Sequence, residues 1–360
     1  MHLIDGPLGS LFGIYELILE SIIKHNKITP KYIASSATIK NAVNQSRLLY
    51  AKKLFQFPPH GLELDNNFFV REPDNPWNEN NPGRIYMGVY APGRGPMTPQ
   101  VRLWSNMLST SSKFVKGEDK LFYSTIVGYF NAMRELGGGI SLYKEDINER
   151  VNRLCDMSLD PEMDSLELSS RLSSSEIPLE LNKIQNDGIK NKSPTFKGIF
   201  TTSMFGTGVD ISHLSLMILN GQPKTTGSYI QASGRIGRKH GGLVVTFLKA
   251  GRPRDLNHYE MFPAYHYKIQ TDVEPISVSP FSLGSLEKSV GPAIVSFFKV
   301  SNALESGNSS RVTTFSSVPP KLIFAIIVNF NGLCVCCKFD FFLKLCSGTI
   351  LDRHRIWIAF

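Results

Sequence analysis

Apolar residues at Leu11, Ile14, Tyr15, Ile18, Leu19 and Ile22 recur at helical spacing and predict an amphipathic helix over 8–24. The period then shortens. Lys31 to Ile39 reads as a short buried strand ending in small hydroxyl residues, and Arg84 to Ala91 as another strand. Leu121 to Arg134 is apolar with helix-like punctuation; Ile140 to Tyr143 and Asp164 to Ser169 read as short strands. A helix through Ile184 follows, with Ser173 and Glu176 at the spacing of a capping box. Apolar runs near Ile199, Leu216 and Val244 continue the alternation of strand and helix, the pattern of a parallel sheet with crossover helices. One more helix is predicted over 286–304.

The candidate chemistry concentrates between Thr201 and Arg238. An apolar strand leads into Gly206, Gly208 and Asp210, where small residues let the backbone approach a nucleotide or phosphate closely. A second apolar run, Leu214 to Leu219, leads through Gly221, Thr225 and Thr226 to Gln231, Gly234, Arg235, Gly237 and Arg238. The two arginines are three residues apart and can reach one anionic centre, and guanidinium forks suit phosphate oxygens better than lysine does.

The Thr-Thr stretch through Gly-Val-Asp-Ile, followed by Gln-Ala-Ser-Gly-Arg-Ile-Gly-Arg, resembles motifs V and VI of a superfamily 2 helicase. Ser36-Ala37-Thr38 resembles helicase motif III, which in that family couples nucleotide state to the nucleic-acid site. His2 fits the last position of the magnesium-binding motif II, whose two acids would precede Met1. No Gly-Lys pair occurs in the chain, so the phosphate-cradling G-x4-G-K-[ST] loop is not in it. Gly6-Pro-Leu-Gly-Ser, Val127 to Gly137, Ser173 to Pro178 and Asn220 to Thr226 resemble the large helicase subunit of the DISARM anti-phage system and its relatives.

The resemblance implies an α/β fold: a RecA-like parallel sheet flanked by helices, with a partial first lobe at the N-terminus and a helical C-terminal extension. Residues 1–56 would be the remnant of the first lobe, 57–83 a linker or insertion, 84–250 the second RecA-like domain, and 251–318 an extension. It further implies ATP and Mg2+ as ligands of a complete helicase, with the Mg2+ ligands outside this chain. Arg238 would be the arginine finger, Arg235 its partner on the γ-phosphate, and Gln231 would position that phosphate or the attacking water. Asp210 and Gly208 would meet the ribose or the interlobe hydrogen bonds, with Gly206, Gly234 and Gly237 lining the nucleotide. Thr202, Gly221, Thr225 and Thr226 would meet nucleic-acid phosphates. The implied partners are nucleic acid, with DNA ahead of RNA, and a separate N-terminal helicase lobe. The chain would then be inactive alone; the competing reading is a non-enzymatic nucleic-acid-binding or scaffold remnant.

Composition adjusts this reading only slightly. Lys and Arg outnumber Asp and Glu by 39 to 31, a net charge of +8 that favours an anionic partner. Aromatic and basic residues interleave at Phe68, Phe69, Arg71, Trp77, Arg84, Arg94, Arg102 and Trp104. They suit either base stacking with phosphate contacts or the packing of an insertion. The tail over 319–360 holds four of the five cysteines, at 334, 336, 337 and 346, without the spacing of a zinc site. Its uncharged run from Leu322 to Cys337 is shorter than the ~20 residues that span a bilayer. No metal site and no membrane are expected, and the cytoplasm is the default compartment.

Overall fold

The computed structural model describes residues 4, 6–25, 27–36, 40–57, 68, 83–155, 159–160, 164–173, 175–186, 194–206, 211–275 and 278–300. The expectations at Ala37, Thr38, Gly208, Asp210, Phe69, Arg71, Trp77 and the 319–360 tail lie outside them. The chain divides into two compact units, one drawn from 1–57 and 275–360, the other from 58–274.

In the first unit, helix α1 (Gly6–His25) packs against α2 (Ala42–Tyr50) and against a helix at 283–300. Ile14 and Ile18 are buried in this packing, and the Ser279 amide donates to Ser10 Oγ at 3.0 Å. The strand expected from Lys31 is not formed: residues 28–36 have no regular structure and Ile33 lies in solvent. A lone extended segment leaves its amides and carbonyls without a ladder, and no strand is present among the described residues of this unit to pair with it.

The second unit is built on six parallel strands: β1 (Arg84–Tyr90), β2 (Ile126–Phe130), β3 (Ser165–Leu168), β4 (Gly198–Thr201), β5 (Leu216–Asn220) and β6 (Gly242–Leu248). Their order is β1-β6-β5-β2-β4-β3, with Ile126 opposite both Gly198 and Leu216, and Arg84 opposite Gly242. β2, β4 and β5 are buried along their whole length, as a sheet covered on both faces requires. The connecting helices are α3 (Met97–Phe114), α4 (Lys120–Tyr123), α5 (Met133–Leu142), α6 (Asn148–Leu154), α7 (Glu176–Asn186) and α8 (Thr226–Ser233). A π-helical turn, Tyr143–Ile147, joins α5 to α6. After β6 come α9 (Pro253–Glu260) and α10 (Phe262–Tyr267), and α11 (Leu283–Val300) is the helix that joins the first unit.

Two segments differ from the sequence expectation. The stretch from Leu121 to Arg134 contains the central strand β2, and Ile140–Tyr143 belongs to α5 and the turn after it. The reason is packing. A Cβ on Gly128 would stand 2.6 Å from the Trp104 ring and one on Gly139 would stand 2.4 Å from Phe130, so these glycines admit large aromatics instead of breaking the chain. Trp104 itself is 1% exposed, stacked on Phe200 at 5.1 Å with the Tyr143 ring edge-on at 5.9 Å. It is a core residue and not a base-stacking one. Glu176 accepts from the Ser173 amide at 2.8 Å while the Ser173 hydroxyl faces the Glu176 amide at 3.3 Å, the reciprocal pair of a capping box.

Trp104→Ala opens a large void against the central strands. Unfolding stability should fall by about 3–5 kcal/mol, read as a lower urea midpoint by circular dichroism. A loss under ~1 kcal/mol would mean that Trp104 does not anchor this layer.

Candidate nucleotide and nucleic-acid site

The residues singled out in the sequence gather on two sides of the sheet. Those after β5 lie at its C-terminal end. Gly221 takes φ +89°, a conformation glycine adopts without strain, and its amide donates to Phe247 O at 2.8 Å. Asn131, just beyond β2, places its side-chain amide 3.2 Å from the carbonyls of both Gly221 and Gln222. Asp255 on α9 is fully buried; it accepts from the Gln222 amide at 3.3 Å and the Lys249 amide at 3.0 Å, tying the ends of β5 and β6 together.

Helix α8 starts from this loop. Thr225 is its N-cap, with Oγ1 accepting from the Ser228 amide at 3.1 Å. Thr226 is buried, and both its amide (2.8 and 3.0 Å) and its hydroxyl (3.2 Å) donate to the Glu274 carboxylate. An internal anion therefore holds the helix N-terminus there, where electrostatics favours negative charge. Thr202 follows β4 half-buried and leads into a 3-10 turn, Ser203–Gly206, that packs against α8.

The arginines lie at the other end of α8, beside the N-terminal ends of β1 and β6. Gln231 and Arg235 are half-buried and Arg238 is exposed. Two devices fix this turn. Gly237, at φ +66°, donates its amide to Leu214 O at 2.8 Å, and a Cβ there would meet the Gly242 backbone at 2.7 Å. Arg84 donates to the carbonyls of Gly234, at 3.0 Å, and of Ile236. Leu214 follows the Gly208–Asp210 segment in the chain, so the flank of one motif is bonded to the turn of the other. Ser36 lies in the first unit.

Sequence reasoning missed Arg84 as a clamp, Asp255 as a tie and Glu274 as a cap. Apart from Lys249 beside Asp255, their partners lie far along the chain, and no local pattern marks them. Buried aromatic contacts back α8: Tyr229 OH meets His266 Nε2 at 2.8 Å, and Tyr265 stands edge-on at 5.8 Å. Burial pushes the His266 pKa below its ordinary 6.5, with the hydrogen bond to Phe262 O opposing; burial and then Arg254 push His258 the same way. Among the described residues no cluster of His, Cys, Asp or Glu is placed to hold a metal ion. No described helix is long and apolar enough to cross a membrane.

The helicase conserved C-terminal domain family matches residues 142–240. Over 319 residues, 84% of this chain, the sequence is 35% identical to DISARM protein DrmA of Bacillus paralicheniformis (strain ATCC 9945a / NCIMB 11709 / CD-2). The chain spans 28% of that relative's length. Among solved structures, the DUF1998 helicase MrfA bound to DNA matches with a TM-score of 0.56 at 16% identity, covering 88% of this chain and 42% of that one. The same helicase bound to DNA and AMPPNP gives 0.55 at 15% identity, covering 86% and 40%. At these identities the likeness to the solved structures is one of fold.

His258 and His266, both half-buried, carry a pH dependence of definite sign. A histidine whose folded pKa is depressed takes up a proton more readily when unfolded. Its contribution is therefore present above about pH 6.5, is lost as pH falls through that value, and levels off below the folded pKa. The urea midpoint should drop between about pH 7.5 and 5.5, and His266→Gln should shrink the drop. An equal drop in parent and variant would remove His266 from the account.

Proposed function

Since the chain carries the conserved C-terminal domain of superfamily 2 helicases and is a relative of a DISARM protein, we propose that it acts as the second RecA-like lobe of an ATP-dependent nucleic-acid helicase or translocase in phage defence, in the cytoplasm. In this reading a first lobe supplies the phosphate loop and the Mg2+ carboxylates, and this lobe closes over the nucleotide. ATP, when bound between the lobes, supplies the phosphoryl group whose transfer drives movement.

One observation carries the reading. The turn bearing Arg235 and Arg238 is held by the Arg84 clamp and by the Gly237 amide, so the backbone that carries both arginines is fixed in place. Arg238, exposed at its tip, is the proposed finger; Arg235 is its partner, and Gln231, on the preceding turn, orients the phosphate or attacking water. Gly206, Gly208, Asp210, Gly234 and Gly237 shape the nucleotide-facing backbone. Thr202, Gly221 and Thr225 are the proposed contacts to phosphates of the nucleic acid, DNA ahead of RNA, which position without selecting sequence. Thr226 can join them only where Glu274 gives way. Ser36, Ala37 and Thr38 keep the coupling role that the motif implies.

By itself the chain should show no nucleic-acid-stimulated ATP hydrolysis; turnover above a blank that Arg238→Ala abolishes would overturn this. In a protein carrying both lobes, removing Arg238 should act on the transition state, where charge develops. Arg238→Ala and Arg238→Lys should both keep nucleotide binding within about a few-fold while hydrolysis falls by about two or more orders of magnitude, because lysine lacks the planar fork. Parental turnover in Arg238→Ala would assign the finger elsewhere, Arg235 first.

A further inference from the structure

At the C-terminal ends of β1 and β6, on the far side of these strands from the arginine turn, lies a cavity of about 330 Å³. Its floor is apolar, formed in part by Ala91, Phe247 and Leu248, and three cationic residues line it: Arg94, Lys249 and Arg252. One carboxylate answers them: Glu135 accepts from Lys249 Nζ at 3.2 Å and pairs with Arg252. Asp255 is nearby, but its oxygens are engaged by the amides of Gln222 and Lys249, and Arg254 stands 3.9 Å from it. No hydrogen bond or ion pair among the described residues engages Arg94, which is exposed on a loop between Gly93, at φ +76°, and Gly95. The cluster is thus left with excess positive charge.

An aromatic pair adjoins the cavity through the backbone. Tyr90 immediately precedes Ala91, and Tyr259 lies on α9, the helix that starts directly after Arg252. Their rings are stacked, 4.5 Å apart at 22°, and Tyr259 is 44% exposed. A concave cationic surface beside a stacked, solvent-facing ring is the combination that tracks a single-stranded backbone and receives a base.

We propose that the cavity lined by Arg94, Lys249 and Arg252, with the Tyr90–Tyr259 stack, is a subsite for single-stranded nucleic acid. It rests on the nucleic-acid reading above and adds a place for the strand outside the helicase motifs. Arg94 and Arg252 meet a phosphate, Lys249 stays tied to Glu135, and the outer face of Tyr259 takes a base without choosing among the four, since every base has a π-face. Contacts of this kind bind strands of any sequence with an affinity that falls as salt rises.

The test is fluorescence anisotropy of the full chain with a labelled oligo-dT strand and with a duplex of equal length, over a salt series. Arg94→Ala should weaken single-strand binding several-fold and reduce the slope of log affinity against log salt by about 0.7. Tyr259→Ala should weaken it by about fivefold or more with the salt slope unchanged, and Tyr259→Phe should restore it. The duplex, whose bases are already stacked, should feel the Tyr259 change far less. Thermal melting of each variant identifies any that fails to fold, and Tyr259→Phe and Arg94→Lys then carry the comparison, Arg94→Lys keeping the salt slope that Arg94→Ala loses. Parental affinity in Arg94→Ala and Tyr259→Ala would overturn the subsite and leave the broader reading standing. Equal losses on strand and duplex in Tyr259→Ala would also overturn it. Absence of salt-dependent binding by the parent chain to any nucleic acid would overturn both.

Discussion

The second unit depends on a carboxylate that never meets water. Asp255 is fully buried, yet it lies against the backbone amides that close β5 and β6. A buried charge is tolerable only where hydrogen bonds replace its hydration, and amides that end a parallel strand have no further ladder partner. Each group solves the other's problem. The result fixes the loops after two adjacent strands, and with them Gly221, Lys249 and Arg252.

The core of the fold was legible because short apolar runs in β4, β5 and β6 are hidden on both faces and carry no competing helical period. The helix around 8–24 and the Ser173–Glu176 cap were legible for the same local reason. β2 was not, because only Asn131 and Ala132 separate its Val-Gly-Tyr-Phe run from α5, too short a break to mark a boundary. α3 was hidden by Pro96 and Pro99, which suggest a loop but sit at the helix start, where a missing amide costs nothing. In the candidate site, Arg235 and Arg238 stand out by their spacing beside two glycines, whereas Gln231 is named only through the resemblance to a helicase motif. Arg84 acts 152 and 150 residues away on carbonyls it could not be paired with from sequence.

The two ends of β6 have different assignments. Gly242, at its start, faces Gly237 of the arginine turn, and Leu248, at its finish, lines the cationic cavity. Seven residues of strand at ~3.3 Å each set these about 20 Å apart, a distance fixed by backbone hydrogen bonds on both sides. The proposed nucleotide-facing and strand-facing surfaces thus share one stiff element, with no flexible loop interposed.

Glu274 is the last residue of the sheet unit, and the next, Pro275, begins the segment assigned to the other. Because Glu274 also grips the first amide of α8, one of the two places where the chain passes between the units is tied to the helix that leads to the arginines. Tension applied at Pro275 does not dissipate in slack chain; it arrives, one residue later, at the foot of that helix. A pull at that passage therefore bears on α8 itself.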